Sequence, residues 1–490
     1  MKLSQISKLF NTNITSEIEV TSISYDSRSV KPGDIFVCLV GEKNDGHNYV
    51  DEVLLKGAVA IIAAKKINSS APVIYVNDTQ VAIAKLASFF YGEPSKDIRI
   101  IGVTGTNGKT TTTHLIQHIL ETNSNKTAVI GTLGTRESTT SPYYDAKHTT
   151  PQAPELQKNI SDLVNKNFKY LAMEVSSHAL ELHRVDYTNF SCSVLTNLTQ
   201  DHLDFHITMD NYWKAKSKLF TMLGVSEQKN ISAILNADDK YFERFKNVIP
   251  SSVRTLLYGI INKADFKAEN IIYTPSGVNF TLVTKEGSFE ISSKLNGLFN
   301  VYNILGSIAA CYAEGISIQS INNSLKSAKE IEGRFQIISS NQNESPICIV
   351  DYAHTPDGLE NILNAARLMV KPGNKLICVF GCGGDRDPTK RPKMGKIAEK
   401  LSDITIITSD NPRSEDPNQI ISDILSGLEN TSNVMVEPDR KSAIETAIKK
   451  ALKNDIVVIA GKGHEDYQIL KDKTIHFDDR EEVRKILEKI

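Results

Sequence analysis

One segment constrains this chain more than any other: Gly105-Thr106-Asn107-Gly108-Lys109-Thr110-Thr111 lies between an apolar run at 98–103 and a helix-period stretch at 109–122. Glycines let backbone N–H groups approach phosphate oxygens, and the start of a helix adds a favourable dipole. Lys109 offers a point charge to the phosphates and Thr110 a hydroxyl to Mg2+. The spacing is G-x-x-G-K-T and not the general G-x-x-x-x-G-K-[ST], because Val103 stands five positions before Gly108. With a strand before it and a helix after it, the run reads as a phosphate loop of an α/β unit rather than a turn that happens to carry lysine and threonine. ATP binding is therefore expected.

The chain is 490 residues long, which at about 100–200 residues per domain predicts two to four domains. Polar joints at 91–97 and around 329–334 divide it into 1–96, 97–333 and 334–490. Short β-like runs (35–40, 59–63, 73–76) and a helical pattern at 81–90 mark the first part. In the middle part the strand at 98–103 is followed by strand-like runs at 128–131, 170–175, 193–197 and 233–236. The last part alternates most regularly, with strands at 347–352, 376–380, 404–408, 434–436 and 456–460 and helical segments such as 358–369 and 418–428 between them. Apolar strands alternating with amphipathic helices predict a doubly wound, mostly parallel sheet. The fold class expected is α/β in three domains, with a phosphate-loop α/β domain at the centre.

Composition narrows the partners. A formal net charge of -2 with 23% charged residues gives no reason to expect nucleic acid or an anionic membrane. The longest apolar stretches, such as 58–64, are far short of a membrane span, and the first residues lack the apolar core of a signal peptide. Six cysteines in so long a chain (Cys38, Cys192, Cys311, Cys348, Cys378, Cys382) form neither a disulfide framework nor a CxxC pair. A cytoplasmic protein with buried thiols, monomeric and without membrane insertion, is the expectation. A second glycine cluster, Gly381-Cys382-Gly383-Gly384, fails the dinucleotide pattern because Arg386 stands where a third glycine belongs.

Glu174 ends an apolar strand, and Asp201-His202-Leu203-Asp204-Phe205-His206 packs four possible metal ligands into six residues. His202 and His206 have the i, i+4 spacing that places two side chains on one helix face. Alone the cluster is ambiguous. Beside a phosphate loop it gains weight, because phosphoryl transfer needs Mg2+ held against the nucleotide.

Several runs now point to one family: GTNGKTT at 105–111, MEVSSHAL at 173–180, TNLTQDHLDFH at 196–206, AKSKLF at 215–220, FNVYN at 299–303, EGRF at 332–335, DYAHTPD at 351–357 and AGKGHED at 460–466. In this order, over nearly the whole chain, they resemble the Mur ligases, and among these the enzymes that add the third residue of the peptidoglycan stem peptide. The resemblance implies Thr110, Glu174, His202 and Lys216 at Mg2+ sites, with Lys216 carried as a carbamate. It places Asn300, Asn303 and Arg334 with the phosphate loop around the nucleotide. Ser27, Glu42, Lys43 and Asn44 would meet the UDP end of the acceptor, and Thr149, Thr150, Ser176 and Arg184 its muramoyl-dipeptide. Leu182 departs from the pattern, standing where some members have a glutamine that contacts this substrate.

In the last part, four polar groups follow apolar strands: 351–354, 385–387, 410–413 and 461–465. Parallel strands point their carboxyl ends one way, so these loops should converge on one edge and could receive a zwitterion. Asp410-Asn411-Pro412-Arg413 resembles the signature of the diaminopimelate-adding members. Its arginine suits the second carboxylate of meso-diaminopimelate, which lysine lacks. Arg386, Gly461 and Glu465 match further contacts. The implied reaction phosphorylates the γ-carboxylate of UDP-N-acetylmuramoyl-L-alanyl-D-glutamate with ATP, and the diaminopimelate amine then displaces phosphate. Lys109, Lys216 and His354 are its candidate catalytic residues. The alternatives are lysine addition, a folylpolyglutamate-type ligase, or a nucleotide-gated scaffold.

Overall fold

A computed structural model describes residues 1–41, 44–144, 148–274, 277–338 and 345–489. The first part holds a four-stranded parallel sheet in the order Ser22–Ser24, Asp34–Val37, Ala60–Ala63, Val73–Tyr75. Its two middle strands are buried at every position. Such strands read as continuous apolar runs instead of alternating ones, because a parallel sheet is covered on both faces.

The second part is built on ten strands. Arg99–Thr104 lies at its centre, paired in parallel with Tyr170–Glu174 and Phe190–Leu195. Antiparallel strands Phe266–Thr274, Gly277–Thr284 and Gly287–Ser293 extend one end. On one face the helix Lys109–Thr122 packs beside Leu298–Ala313, burying Leu115, Ile116 and Ile119 with Ile304, Leu305 and Ile308. The other face buries Leu156, Ile160, Tyr212, Leu219 and Phe220.

The third part holds a six-stranded sheet in which Ile347–Asp351, Ile456–Ala460, Leu376–Phe380, Ile404–Ile407 and Val434–Val436 run parallel in that spatial order. One layer buries Leu359, Ile362, Met394 and Ile424, the other Ala443, Ile444, Ala447 and Val483. Helices thus cover both faces, as a doubly wound sheet requires. Asp351 pairs with Ala460, Ala460 with Phe380, and Phe380 with Ile407. The strands therefore end level, and the loops that follow them start side by side.

Short polar and small-residue contacts join the parts. Ala84 and Ala87 pack against Ala153 between the first and second. Between the second and third, Asn107 Nδ2 donates to Asp357 Oδ2 at 2.6 Å and Gln200 Nε2 to Thr389 Oγ1 at 3.1 Å. Among the described residues no helix is long and apolar enough to cross a membrane, and all six cysteines are buried and free.

Ile207 carries backbone strain. It is 76% exposed with φ +66° and ψ -46°, and Thr208 N–H donates to His206 O across it at 2.7 Å. This is a γ-turn of the uncommon positive-φ kind, in which a β-branched side chain is unfavourable. Ile207→Gly is expected to relieve about 1 kcal/mol net of the glycine's extra chain entropy and raise the thermal midpoint by about 2 °C. An unchanged or lower midpoint by differential scanning fluorimetry would refute the strain.

Candidate active site

The phosphate loop leaves the carboxyl end of the central strand and enters the helix Lys109–Thr122 with Gly108 in a left-handed conformation. Side chains are excluded here by close approach: a Cβ on Gly105 (φ +148°) would lie 1.9 Å from Thr196 Oγ1, and one on Gly108 (φ +87°) 2.3 Å from Asn303 Oδ1. Lys109 Nζ donates to Gly105 O at 3.0 Å and Thr106 O at 2.8 Å. Burial lowers its pKa, partly opposed by Glu174 and Asp201.

A cavity of about 420 Å3 opens from this loop toward the third part. Its wall includes Thr106–Thr111, Thr149, Glu174, Ser176, Asp201, His202, Lys216, Asn303, Arg334 and His354. Glu174 is fully buried. Its Oε1 accepts from Thr110 Oγ1 and Thr132 N–H at 2.9 Å each, and its Oε2 from Thr132 Oγ1 at 3.0 Å. Arg334 Nη2 donates to Thr110 Oγ1 at 3.1 Å, and its guanidinium lies 4.3 Å over the Tyr352 ring. The Arg334 Nη1 atom is buried without a partner among the described residues.

Lys216 is 1% exposed, and its Nζ donates to Gly105 O at 2.8 Å. No carboxylate within ion-pair distance balances it among the described residues. Burial, then Lys109, drives its pKa well down. Its Nζ lies over the Tyr212 ring, 4.7 Å from the centroid.

The two histidines of the i, i+4 pair have different polar partners. His202 precedes the short helix Leu203–His206 with φ +55°, and its Nε2 lies 3.3 Å from Asp201 Oδ2. His206 is buried and bonds Ser177 Oγ at 2.9 Å, with His178 lying near both rings. Burial pushes His202 down to about 3 and His206 to about 4, so both rings are neutral at pH 7. His354 Nδ1 donates to Tyr352 O at 2.8 Å, which leaves the Nε2 lone pair on the side of Asp201 Oδ2, 3.8 Å away. Burial, helped by Lys390, lowers His354 to about 4.

Asn300 stands behind the cavity wall: its Nδ2 donates to Asn296 O at 2.7 Å, and its Oδ1 accepts from Asn303 at 3.0 Å. Thr150 is also inside, donating to Glu174 O at 2.9 Å and accepting from Ser176 N–H at 3.1 Å. Thr149 pairs with Thr132 at 3.1 Å, and Ser176 accepts from Ala179 N–H at 3.1 Å to cap a helix. Arg184 Nη1 donates to Thr150 O at 3.2 Å. Ser27 and Asn44 lie in the first part, away from this cavity, with Ser27 O accepting from Lys56. Glu42 and Lys43 lie outside the described residues.

The strand-edge loops knit together. Asn411 Nδ2 donates to Glu465 Oε2 at 2.8 Å, and the buried Lys462 donates to Glu465 Oε2 at 3.1 Å and Asn411 Oδ1 at 3.2 Å. Pro412 is buried beside Asn411. A Cβ on Gly461 would lie 2.6 Å from Asp410 Oδ2, so glycine lets this loop pass the acid. Arg440, fully enclosed with Asp479, donates to Ser409 O and Ala460 O and ties two strand ends together. Arg413 Nη1 donates to Gly384 O at 2.8 Å, while Arg386 is exposed and bonds its own neighbour, Asp385 O. Both arginines flank Gly383. Burial and the nearby Asp410 raise the Glu465 carboxyl. The Asp351 carboxylate accepts from Phe335 and Ala353 N–H, its carbonyl accepts from Gly461 N–H at 3.0 Å, and the Tyr352 ring lies 5.0 Å from that of His464.

Sequence reasoning missed Asp238, Tyr302, Asp357 and Asn361, which also line the cavity. Asp238 collects N–H bonds from 260, 261 and 262 and the Tyr302 hydroxyl. Its place just after the strand Ser232–Asn236 was the available signal.

Residues 19–91, 103–311 and 333–463 match, respectively, the Mur ligase family catalytic domain, the Mur ligase middle domain and the Mur ligase glutamate ligase domain. The chain belongs to the Mur ligase family. It is 46% identical over 479 residues, 96% of each chain, to the UDP-N-acetylmuramoyl-L-alanyl-D-glutamate--2,6-diaminopimelate ligase of Clostridium botulinum. The enzyme of the same name from Syntrophomonas wolfei is 45% identical over 99% of each. A solved structure of a ligase of that name superposes with TM-score 0.70 at 32% identity, covering 99% of this chain and 98% of the other.

Proposed function

We propose that the protein joins meso-diaminopimelate to UDP-N-acetylmuramoyl-L-alanyl-D-glutamate at the expense of ATP, in peptidoglycan precursor synthesis. The observation that carries this reading is a single cavity walled by the phosphate loop, the Thr149–Ser176 side of the middle part and His354 of the last part. Nucleotide, acceptor and amine can meet there.

A carboxylate is a poor electrophile because oxide does not leave. A γ-carboxylate oxygen of the D-glutamyl residue attacks the terminal phosphorus of ATP, and the bond to ADP breaks. The amine then adds to the acyl phosphate carbonyl, and phosphate departs from the tetrahedral adduct. Lys109 and Arg334 face the charge that develops during the first transfer. The neutral His354 Nε2, with its proton fixed on Nδ1 by Tyr352 O, can orient the amine or accept its proton. Closure of the parts against one another excludes water from the acyl phosphate.

The donor set suits Mg2+, a hard cation that keeps waters and takes one or two carboxylates plus substrate phosphates. Thr110 and Glu174 supply oxygens on the cavity wall and His202 a neutral nitrogen. Among the described residues no three His, Cys, Asp or Glu side chains form a closed metal cluster, so an anionic ligand from Lys216 as a carbamate would complete the site. Bound there, Mg2+ would offset charge on the transferring phosphoryl group.

The primary test is phosphate release that depends on both acceptor and diaminopimelate; release that needs neither would make the protein an ATPase, and no release at all would leave only a nucleotide-binding scaffold. Amino-acid choice has its own test. A charge-assisted arginine–carboxylate pair contributes about 1.5–3 kcal/mol, and leaving the arginine unpaired against lysine costs more. Discrimination of about two to four powers of ten follows at 1.4 kcal/mol per tenfold. Arg413→Ala is expected to lose most of kcat/KM for diaminopimelate through KM, with the ATP constant nearly unchanged. Equal use of L-lysine by the wild type would overturn the substrate assignment while leaving the ligase reading standing.

A further inference from the structure

Arg184 sits among the acceptor-side residues with an unusual lack of partners. Beyond the bond from Nη1 to Thr150 O, its Nε is buried with no acceptor among the described residues. A guanidinium is charged at any ordinary pH, and a buried, unsatisfied donor on it is costly. A carboxylate is at hand. Glu155 lies in the first turn of the helix Ala153–Asn165, near enough for its charge to act on Arg184. Yet the two form no ion pair among the described residues. Glu155 Oε1 instead accepts from the Tyr25 hydroxyl at 2.7 Å.

Tyr25 comes from the first part of the chain, 130 positions away. Its placement over Glu155 is set by packing at the joint between parts, where Ala84, Ala87 and Ala153 are buried against one another and Ile23 lies beside them. Ser88 Oγ donates to Tyr187 O, and Asn189 N–H to Ser95 Oγ, across the same joint. Burial and Glu155 raise the tyrosine pKa, so the hydroxyl keeps its proton and remains a donor.

We propose that Tyr25 is a positioning residue for the acceptor: its hydroxyl holds Glu155 off Arg184, which keeps the guanidinium open for a carboxylate of the substrate. This rests on the reading of Arg184 as an acceptor contact. Without the hydroxyl, Glu155 is released to turn to Arg184, whose charge it already feels, and the acceptor has to break that pair to bind.

The logic is tested by suppression. Initial rates of the purified full chain are measured for the wild type, Tyr25→Phe, Glu155→Gln and the double variant, varying acceptor and ATP separately. Tyr25→Phe is expected to raise the acceptor KM about tenfold, the worth of one charge-assisted pair, with kcat and the ATP KM nearly unchanged. Glu155→Gln alone should stay near wild type, and the double variant should return to within about twofold of it, a non-additivity that only coupled neighbours produce. A Tyr25→Phe variant with unchanged KM overturns the proposal. So does a double variant as weak as Tyr25→Phe, because loss of packing or of a direct tyrosine contact is not repaired by removing a distant charge. A Glu155→Gln variant that is itself weak shows that Glu155 serves the acceptor, which also overturns it. If the wild type uses no acceptor, the ligase reading falls and this inference with it; if the wild type is active and suppression is absent, the inference falls alone.

Discussion

Lys109→Ala is expected to lower acceptor- and amine-dependent phosphate release by about a thousandfold or more, since removal of a single preorganised donor to developing charge already costs about 10²–10³ in kcat. The ammonium is held by Gly105 O and Thr106 O at 3.0 and 2.8 Å, so its position is set before nucleotide arrives and needs no reorganisation during transfer. Its loss leaves Arg334, which donates to Thr110 Oγ1 at 3.1 Å, facing the same charge from one side only. The fold should tolerate the change. Lys109 makes no ion pair within 4 Å among the described residues, Gly105 O retains Lys216 as a donor, and alanine favours the helix that begins here. Thermal melting and phosphate release on the same preparation check both halves. Near-wild-type turnover by the folded variant would remove the loop from the reaction.

The parallel core was readable where burial on both faces makes a strand uniformly apolar. Leu376–Phe380 and Ile456–Ala460 are such runs, and the helix Lys109–Thr122 declares itself through the glycine before it. Other elements hid for definite reasons. Leu298–Ala313 buries residues around most of its circumference, so it lacks the polar face that gives a helix its period. The strands Phe266–Thr274 to Gly287–Ser293 are half polar, and an irregularity between Glu269 and Ile272 breaks their alternation. Among the site residues, convergence at the sheet edge followed from strand direction alone, since a parallel sheet leaves no choice of side. At His202 and His206 the i, i+4 spacing brings both rings against His178 and Tyr212, although a left-handed residue at 202 and a γ-turn at 207 confine the helix to a single turn. Partnering was beyond the sequence altogether. That Asn300 supports Asn303 instead of facing the cavity, and that Tyr25 rather than Arg184 holds Glu155, depends on contacts between segments far apart in the chain.

Lys216→Ala is the second large effect expected, with activity reduced about a thousandfold, comparable to loss of a metal-held charge stabiliser. The reason lies in the charge inventory of the cavity. A fully buried ammonium without an acid partner is unfavourable by several kcal/mol, and among the described residues Lys216 Nζ meets a carbonyl and an aromatic face but no carboxylate within ion-pair distance. Burial and the neighbouring Lys109 favour the neutral amine, which is the form that adds CO2: the nitrogen lone pair attacks carbon, one proton is released, and an anionic carbamate results. This converts a cation that repels metal into an oxygen ligand in a cavity where Thr110 and Glu174 offer few others. Alanine leaves a space the length of the lost side chain, so a short carboxylate such as formate or acetate at high concentration should restore part of the activity. The wild type, stripped of CO2 at low pH and returned to neutral pH, should regain activity faster with added bicarbonate. Intact mass and density at Lys216 under assay conditions provide the direct check. Full activity from an unmodified lysine would exclude the carbamate, and a Lys216→Ala variant with normal turnover would place the metal's anionic ligand elsewhere on the wall.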